Sequence, residues 1–301
     1  MALKPIDNAL PLPHETAKFG VNEESKTASL PPPPADPIID YISSENLEPI
    51  SDPESEIQAR FFCVWILILG SFLFQGLVEE LDSKDWTRVC ESLNNVRRFA
   101  LYHSLLLLPI LEKVILMVVK AMKNPRSALC KTSIMASSDI FKVFGDQSLD
   151  SANNAFDNLL LQLLLKASQD KRFVCEEADK ALNAMVKSMT PLPLLNKLRP
   201  YVRHINPRIR AKAAITISNS VSKMGLEAMN EFGLVSLVQM AADLLNDRLP
   251  EAREAARNIV TCIYEAYTRN EEQKQESWQN FCQSSLPPIH AQSMVKITSS
   301  Q

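Results

Sequence analysis

The chain has 301 residues, of which 46% are hydrophobic and 22% charged, a composition that is typical of globular proteins and excludes collagen and disorder throughout. Only six residues are glycine, which is too few for a nucleotide-binding α/β protein or for a barrel with many tight turns, because both need glycine where φ is positive. The composition therefore predicts a mostly helical protein.

The net charge of −3 is unevenly distributed. Residues 1–60 contain four basic and eleven acidic residues (net −7), whereas the rest of the chain contains 28 basic and 24 acidic residues (net +4). A mildly basic folded part suits a partner with an acidic surface, but it is too weak to indicate a nucleic acid. Six cysteines without CxxC spacing, together with no secretory signal, predict a reducing compartment.

The N-terminal residues 1–60 hold ten of the nineteen prolines, including the run Pro31–Pro34, and show little apolar periodicity. This composition predicts a disordered, acidic, proline-rich tail with a short polyproline II stretch. The run is interpreted as a stiff linker, with a ligand for an aromatic groove as the alternative.

An apolar block follows, from Phe61 to Phe74 (FFCVWILILGSFLF), and no charged residue occurs before Glu79. Residues 61–78 are at the lower limit of what spans a bilayer, about 17–25 residues. Three hypotheses remain open for residues 61–76: a buried or partner-binding helix, a membrane anchor, or the product of an aberrant splice junction.

Beyond residue 76 the sequence contains a repeat. Each copy begins with aspartate or proline at a predicted helix start and reaches a marker position held by Cys90, Cys130, Cys175, Arg210 or Arg253. In the first three copies a basic residue lies between the start and the marker cysteine. The markers are 40, 45, 35 and 43 residues apart. Three residues after the marker, most copies have a small residue, which permits close helix packing. The residues at this position are Leu93, Ser133, Ala178, Ala213 and Ala256.

An apolar helical pattern precedes each marker, at residues 77–81, 105–122, 154–168, 192–205 and 229–246. Each unit is thus a pair of antiparallel helices of about 40 residues, the period of HEAT and armadillo repeats. The prediction is an all-α, right-handed α-solenoid of about five to six HEAT-like helix pairs, with the weakly helical Glu271–Phe281 as the candidate for a sixth.

Several of these segments resemble a known family. The first repeat of a TOG domain, with its tryptophan in the first intra-repeat loop, resembles Ser83-Lys84-Asp85-Trp86-Thr87-Arg88. Later repeats of the same family, closest to the CLASP N-terminal type, resemble Asn206-Pro207-Arg208-Ile209-Arg210 and Asp247-Arg248-Leu249-Pro250. The resemblance covers about residues 76–283. It implies binding of tubulin through the loops inside the helix pairs.

Those loops, here called the loop edge, comprise residues 82–85, 123–126, 169–172, 204–208 and 246–250, and each contains a cation. One cation per repeat, about 10 Å from the next by helix diameter, suits an extended acidic surface. The predicted tubulin-binding residues are Lys84, Trp86, Lys123, Arg126, Lys171, Arg172, Arg208 and Arg248. Trp86 is interpreted as an exposed anchor, the alternative being a packed residue between the first two helices, and Arg210 and Arg253 are interpreted as internal ion-pair partners.

No catalytic or metal-binding pattern is recognisable. The first three marker cysteines share one structural position and are expected to pack between helices, the four histidines are scattered, and no HExxH, GxSxG or P-loop spacing occurs. The sequence therefore predicts a non-enzymatic protein without cofactor or metal.

The main hypothesis is a cytoplasmic, microtubule-associated protein with a TOG-like domain at residues 77–283 and a flexible C-terminal tail at 284–301. Two alternatives remain: a general HEAT-repeat scaffold for another protein, binding by its concave face, and a membrane-tethered adaptor using Phe61–Val78. The oligomeric state is left open.

Overall fold

The computed structural model describes residues 41–49, 70–148 and 153–299, and within these ranges the chain contains helices and no strand. The first seven α-helices are α1 (Gly70–Leu81), α2 (Trp86–Tyr102), α3 (Ser104–Leu107), α4 (Leu111–Met122), α5 (Ser127–Phe144), α6 (Asn153–Ala167) and α7 (Arg172–Ser188). The others are α8 (Pro191–Leu198), α9 (Pro207–Val221), α10 (Leu226–Phe232), α11 (Leu234–Leu245), α12 (Pro250–Tyr267), α13 (Lys274–Ser285) and α14 (Pro288–Ser299).

The helices form pairs that stack on one another, as the repeat predicts. Within the pairs α1 packs on α2, α4 on α5, α6 on α7, α8 on α9 and α11 on α12. Between the pairs the second helices pack in succession, α2 on α5, α5 on α7, α7 on α9 and α9 on α12. The stack confirms the predicted α-solenoid.

Small side chains allow the second helices to approach closely. The residues three positions after each marker, Leu93, Ser133, Ala178, Ala213 and Ala256, are all inaccessible to solvent. The Ser133 hydroxyl donates a hydrogen bond to the carbonyl of Cys130 at 2.7 Å, so this buried hydroxyl is not left without a partner. The predicted packing role of this position is confirmed.

Two predicted helices are interrupted by proline or glycine. The pattern at 105–122 is broken because Pro109 lacks an amide hydrogen, and residues Leu108–Ile110 form a 3₁₀ turn between α3 and α4. The pattern at 229–246 is broken at Gly233, whose φ of 100° joins α10 to α11. Periodicity alone did not reveal these interruptions.

The C-terminal part differs from the sequence-based expectation. Residues 284–301 were predicted to be a flexible tail, but Pro288–Ser299 form α14, which packs on α12 and α13 and buries Ala291 and Met294. Its partner α13 is anchored by Trp278, which is fully buried and contacts the ring of Tyr264 at 5.7 Å between centroids. The pair α13 and α14 therefore supplies a sixth unit.

The predicted N-terminal tail and apolar segment lie largely outside the described residues. Within the tail, however, residues 41–49 are in contact with α2 and α5 rather than detached from them. Of the apolar segment, only the part from Gly70 onwards is described, as the start of α1. Among the described residues, no helix has the length and apolar character needed to cross a membrane.

Candidate functional site

The five loops of the loop edge form one continuous row, because each is joined to the next by a contact between loop residues or between a loop residue and the first turn of an adjacent helix. The guanidinium of Arg126 lies 5.0 Å from the ring centroid of Trp86, which joins the first two loops. The second and third are joined by Lys171 Nζ, which donates to Ser127 Oγ at 3.3 Å just after the second loop. The third and fourth are joined by Arg208 and Asp170 at 2.6 Å.

The fourth and fifth loops are joined by an ion pair that is more buried. Arg210 Nε donates to Asp247 Oδ2 at 2.6 Å, and the same guanidinium donates to the carbonyl of His204 at 2.8 Å. Arg253 donates to the carbonyls of Asp247 and Arg248 at 2.8 and 2.9 Å. Arg210 and Arg253 thus hold the fifth loop in place, and Arg210 is the internal ion-pair partner that the sequence indicated.

Aspartate or asparagine side chains shape four of the five loops. Each accepts a hydrogen bond from the backbone N–H two residues later: Asp85 from Thr87 (3.0 Å), Asn124 from Arg126 (2.9 Å), Asn206 from Arg208 (2.9 Å) and Asp247 from Leu249 (2.9 Å). Such Asx turns fix the backbone immediately before a helix and satisfy one of its first amide groups. These hydrogen bonds therefore restrain the backbone at the end of each of the four loops.

The exposure of Trp86 is intermediate between the two environments considered for it. It is the first residue of α2 and is only partly exposed, with Arg126 over one face of its ring. A cation–π contact at an exposed site contributes about 0.5–1 kcal/mol. Two residues that the sequence suggested separately are therefore in direct contact.

The remaining cations differ in their partners. Lys84, Lys123 and Arg248 are exposed and form no ion pair with the described residues. Arg172 pairs with Glu176 at 2.7 Å, and both side chains are more than half exposed, as are those of the Arg208 and Asp170 pair. Exposed pairs of this kind are worth about 0–1 kcal/mol, so a partner molecule can displace them at little cost.

Positive charge is concentrated in the middle of the loop edge. Loops 123–126, 169–172 and 204–208 together contain five cations and one acidic residue, a net charge of +4. Loop 82–85 has a net charge of −1, and loop 246–250 has a net charge of zero. The sequence predicted at least one cation in every loop, and by net charge the three central loops are the positive part of the row.

The acidic residues of the two outer loops have structural partners. Asp85 accepts from the hydroxyl of Thr87 at 2.7 Å as well as from its N–H, and these hydrogen bonds lower the pKa of Asp85. Partial burial by itself would raise the pKa of Asp247, but the hydrogen bonds from Arg210 and from the Leu249 N–H outweigh it, so this pKa is also lowered. Both carboxylates are therefore charged at neutral pH and contribute to the folding of their loops.

Two apolar side chains on the loop edge were missed by the sequence analysis. Ile205, in the fourth loop, is 92% exposed, and Phe173, in the first turn of α7, is 44% exposed. Ile205 had been included in a helical pattern, although it lies between His204 and the capping residue Asn206. An apolar residue directly before an Asx cap was the available signal.

The marker cysteines behave as packing residues. Cys90 and Cys130 are buried, and Cys175 Sγ donates to the carbonyl of Gln169 at 2.8 Å. Burial raises the pKa of all three thiols, so they are poor nucleophiles at neutral pH. In the described part of the chain, no three His, Cys, Asp or Glu residues are grouped in a way that could hold a metal ion.

Comparison with known proteins extends this picture. The family model described as CLASP N terminal matches residues 101–286. The mouse protein named TOG array regulator of axonemal microtubules protein 1 is 38% identical over 188 residues, which are 60% of this chain and 10% of that protein. The chain thus spans about a tenth of the length of that relative.

Solved structures with a similar fold include TOG domains. The TOG domain of Zyg9 from C. elegans has a TM-score of 0.58 at 15% identity, over 84% of this chain and 90% of that one. A chain from work on TOG–tubulin binding specificity has a TM-score of 0.52 at 16% identity, over 67% of this chain and 80% of that one. At such low identity these likenesses establish the fold alone.

Proposed function

This chain belongs to the CLASP N-terminal family, and we propose that it binds tubulin, as the αβ dimer or in the microtubule lattice, through its loop edge. The observation that carries the proposal is the continuity of the five loops, with positive charge at their centre. The residues proposed to contact tubulin are Lys84, Trp86, Lys123, Arg126, Lys171, Arg172, Arg208 and Arg248. Phe173 and Ile205 join them on the basis of their exposure.

The geometry of the loop edge suits a long acidic surface. Five loops about 10 Å apart form a row roughly 40 Å long, and its charge attracts an acidic partner and aligns it along the row. Exposed Phe173 and Ile205, with partly exposed Trp86, add apolar area that a partner can bury. Binding energy at interfaces is commonly concentrated in a few such aromatic and arginine side chains.

The names of related proteins support the choice of partner. The mouse relative is called a regulator of axonemal microtubules, and one structure of the same fold comes from work on TOG–tubulin binding. By this analogy the chain acts on microtubule organisation or dynamics and is located at the cytoskeleton. The proposed action is binding, and it needs neither a catalytic residue nor a cofactor.

The proposal is tested by co-sedimentation of the full chain with microtubules and by gel filtration with free tubulin. A variant in which four central cations are changed to glutamate (Lys123, Arg126, Lys171 and Arg172) reverses the charge of the central loops. We expect at least a tenfold loss of affinity, because attraction of the acidic partner becomes repulsion. Binding of the unmodified chain should also weaken with added salt, which screens exposed charges.

A matched control carries the same change of net charge away from the loop edge. Lys113, Lys187, Arg269 and Lys274 are exposed and lie towards the opposite ends of the helices. Changing these four to glutamate should leave binding within about twofold, after allowance for the long-range effect of net charge. Equal loss in both variants, or no loss in the first, would contradict the proposed interface even if tubulin is the partner.

A further inference from the structure

Residues 41–49, here called the strap, lie in a groove between α2 and α5. The ring of Tyr41 is 4.0 Å from Lys131 Nζ on α5, and Leu47 is 1% exposed. The contacts on α5 advance from Lys131 for Tyr41 to Asp139 for Ser44, so the strap runs in the same direction as the helix. The strap therefore begins near the loop edge and follows the groove away from it.

The groove forms hydrogen bonds with both the backbone of the strap and the Ser44 hydroxyl. Arg97 donates to the carbonyl of Ile42 at 2.8 Å, and the hydroxyl of Tyr102 donates to the carbonyl of Leu47 at 2.6 Å. Arg98 donates to the carbonyl of Glu48 at 3.1 Å. Three side chains of α2 thus recognise three carbonyl groups, which any peptide backbone carries, while the burial of Leu47 requires an apolar side chain at that position.

The floor of the groove is a buried ion pair that the strap completes. Arg97 Nε and Asp139 Oδ2 are 2.8 Å apart, with side chains 1% and 0% exposed. Ser44 Oγ donates to Asp139 Oδ1 at 2.7 Å, and the Ile42 carbonyl accepts from Arg97 as described above. The strap therefore supplies hydrogen-bond partners to both charged groups, which are costly to bury without partners.

We propose that the groove between α2 and α5 is a binding site for a short peptide that makes one 3₁₀ turn, as the strap does at Ser44–Asn46, and that it is occupied in cis by the strap, which binds and leaves as a unit. The ligand it selects has an aromatic residue at the position of Tyr41, a hydroxyl at that of Ser44 and an aliphatic side chain at that of Leu47. This site lies on the faces of α2 and α5 and is separate from the tubulin contacts proposed for the loop edge. It does not depend on that function being correct.

The test uses a fluorescently labelled synthetic peptide of residues 41–49 and the full chain. In the unmodified chain the strap competes at an effective concentration in the millimolar range, so the added peptide should bind weakly. Leu47→Asp places a charge in the apolar pocket and should release the strap. We expect the Leu47→Asp chain to bind the added peptide at least about tenfold more tightly than the unmodified chain, measured by fluorescence anisotropy.

Two controls define the specificity. A peptide carrying Leu47→Asp should bind neither chain, because its own side chain cannot enter the pocket. Glu45→Lys alters an exposed strap residue whose side chain forms no ion pair with the rest of the described chain, and this variant should behave like the unmodified chain. A second releasing variant, Tyr41→Ala with Ser44→Ala, should show the same gain of peptide binding without introducing a charge.

Circular dichroism of each variant establishes that the helices are intact, so that binding is compared between folded proteins. Equal binding by the unmodified and releasing variants, or no binding by either releasing variant, would overturn the proposal. Sedimentation analysis addresses occupancy by a second copy. A monomer is expected for the unmodified chain, and a dimer that dissociates on Leu47→Asp would overturn occupancy in cis.

Discussion

The buried ion pair between α2 and α5 gives the sharpest stability prediction. Asp139 accepts hydrogen bonds from Arg97 at 2.8 Å, Ser44 at 2.7 Å and Lys142 at 2.9 Å, and its side chain has no exposed surface. Replacing it with leucine leaves the Arg97 guanidinium buried without a carboxylate. Removing one member of such a pair costs about 3–5 kcal/mol, because the remaining charge is neither solvated nor neutralised.

The opposite single change should be milder. Arg97→Met leaves Asp139 with Ser44 and with Lys142, whose side chain is about half exposed and partly hydrated. The loss is that of hydrogen bonds to a charged group, about 1.5–3 kcal/mol. The double variant, Arg97→Met with Asp139→Leu, removes both charges and should be less destabilised than Asp139→Leu alone.

Thermal unfolding followed by circular dichroism measures these differences. For a folded unit of 150–250 residues, 1 kcal/mol corresponds to roughly 2–4 °C, so Asp139→Leu should lower the midpoint by about 6–20 °C. Glu254→Gln, which alters an exposed pair with Arg257, should change stability by less than about 1 kcal/mol. If the double variant loses as much stability as the two single variants together, the residues are not coupled and the argument fails.

Two further predictions concern a glycine and a carboxylate. Gly145→Ala should destabilise the fold by about 2 kcal/mol or more, because φ is +47° and a Cβ would lie 2.5 Å from the Ser188 carbonyl oxygen. Gly76→Ala should instead stabilise the fold by about 0.5–1 kcal/mol, because Gly76 lies within α1 and a Cβ there would enter open space. Equal effects in thermal melts would contradict this. Asp247→Asn should cost about 1.5 kcal/mol at neutral pH through its weakened bond to Arg210. Because folding lowers the pKa of Asp247, its contribution to stability is complete above the ordinary pKa of 3.8 and is lost as the pH falls below that value. The difference in melting temperature between the unmodified chain and Asp247→Asn should therefore shrink at low pH. A difference that stays constant with pH would contradict the role given to the Asp247 carboxylate.

The helix pairs could be predicted because their information is local and recurrent. The marker positions from Cys90 to Arg253 follow a turn, precede a small buried residue by three positions and recur at the expected period. Each unit packs its helices in the same way, so a copy whose sequence pattern is weak can be recognised from the other copies. The sixth pair was predicted only weakly, since α13 is polar apart from Trp278, Phe281 and Cys282.

The strap could not be predicted for the opposite reason. Its nine residues are embedded in an acidic, proline-rich segment, and their partners on α2 and α5 are 50 to 98 positions away in sequence. Three of the groove's six hydrogen bonds to the strap reach backbone carbonyls, which leave no trace in residue identity, and the other three involve the Ser44 hydroxyl. The side chains that the groove selects are those of Tyr41, Ser44 and Leu47, and one aromatic, one hydroxyl and one aliphatic residue do not form a recognisable motif.

The loop edge lies between these cases, since its cations were predicted but their relative importance was not. Counting one cation per loop treats Lys84 and Arg248 as equal to the central residues. Lys84, however, shares its loop with Asp85, and Arg248 shares its loop with Asp247, and both aspartates form hydrogen bonds that shape those loops. Asp85 caps α2, and Asp247 both shapes the fifth loop and pairs with Arg210. Because these carboxylates cannot be removed without weakening the loops, the outer loops cannot become strongly positive. An acidic partner should therefore interact mainly with the central loops, and Trp86 stands at their border through its contact with Arg126.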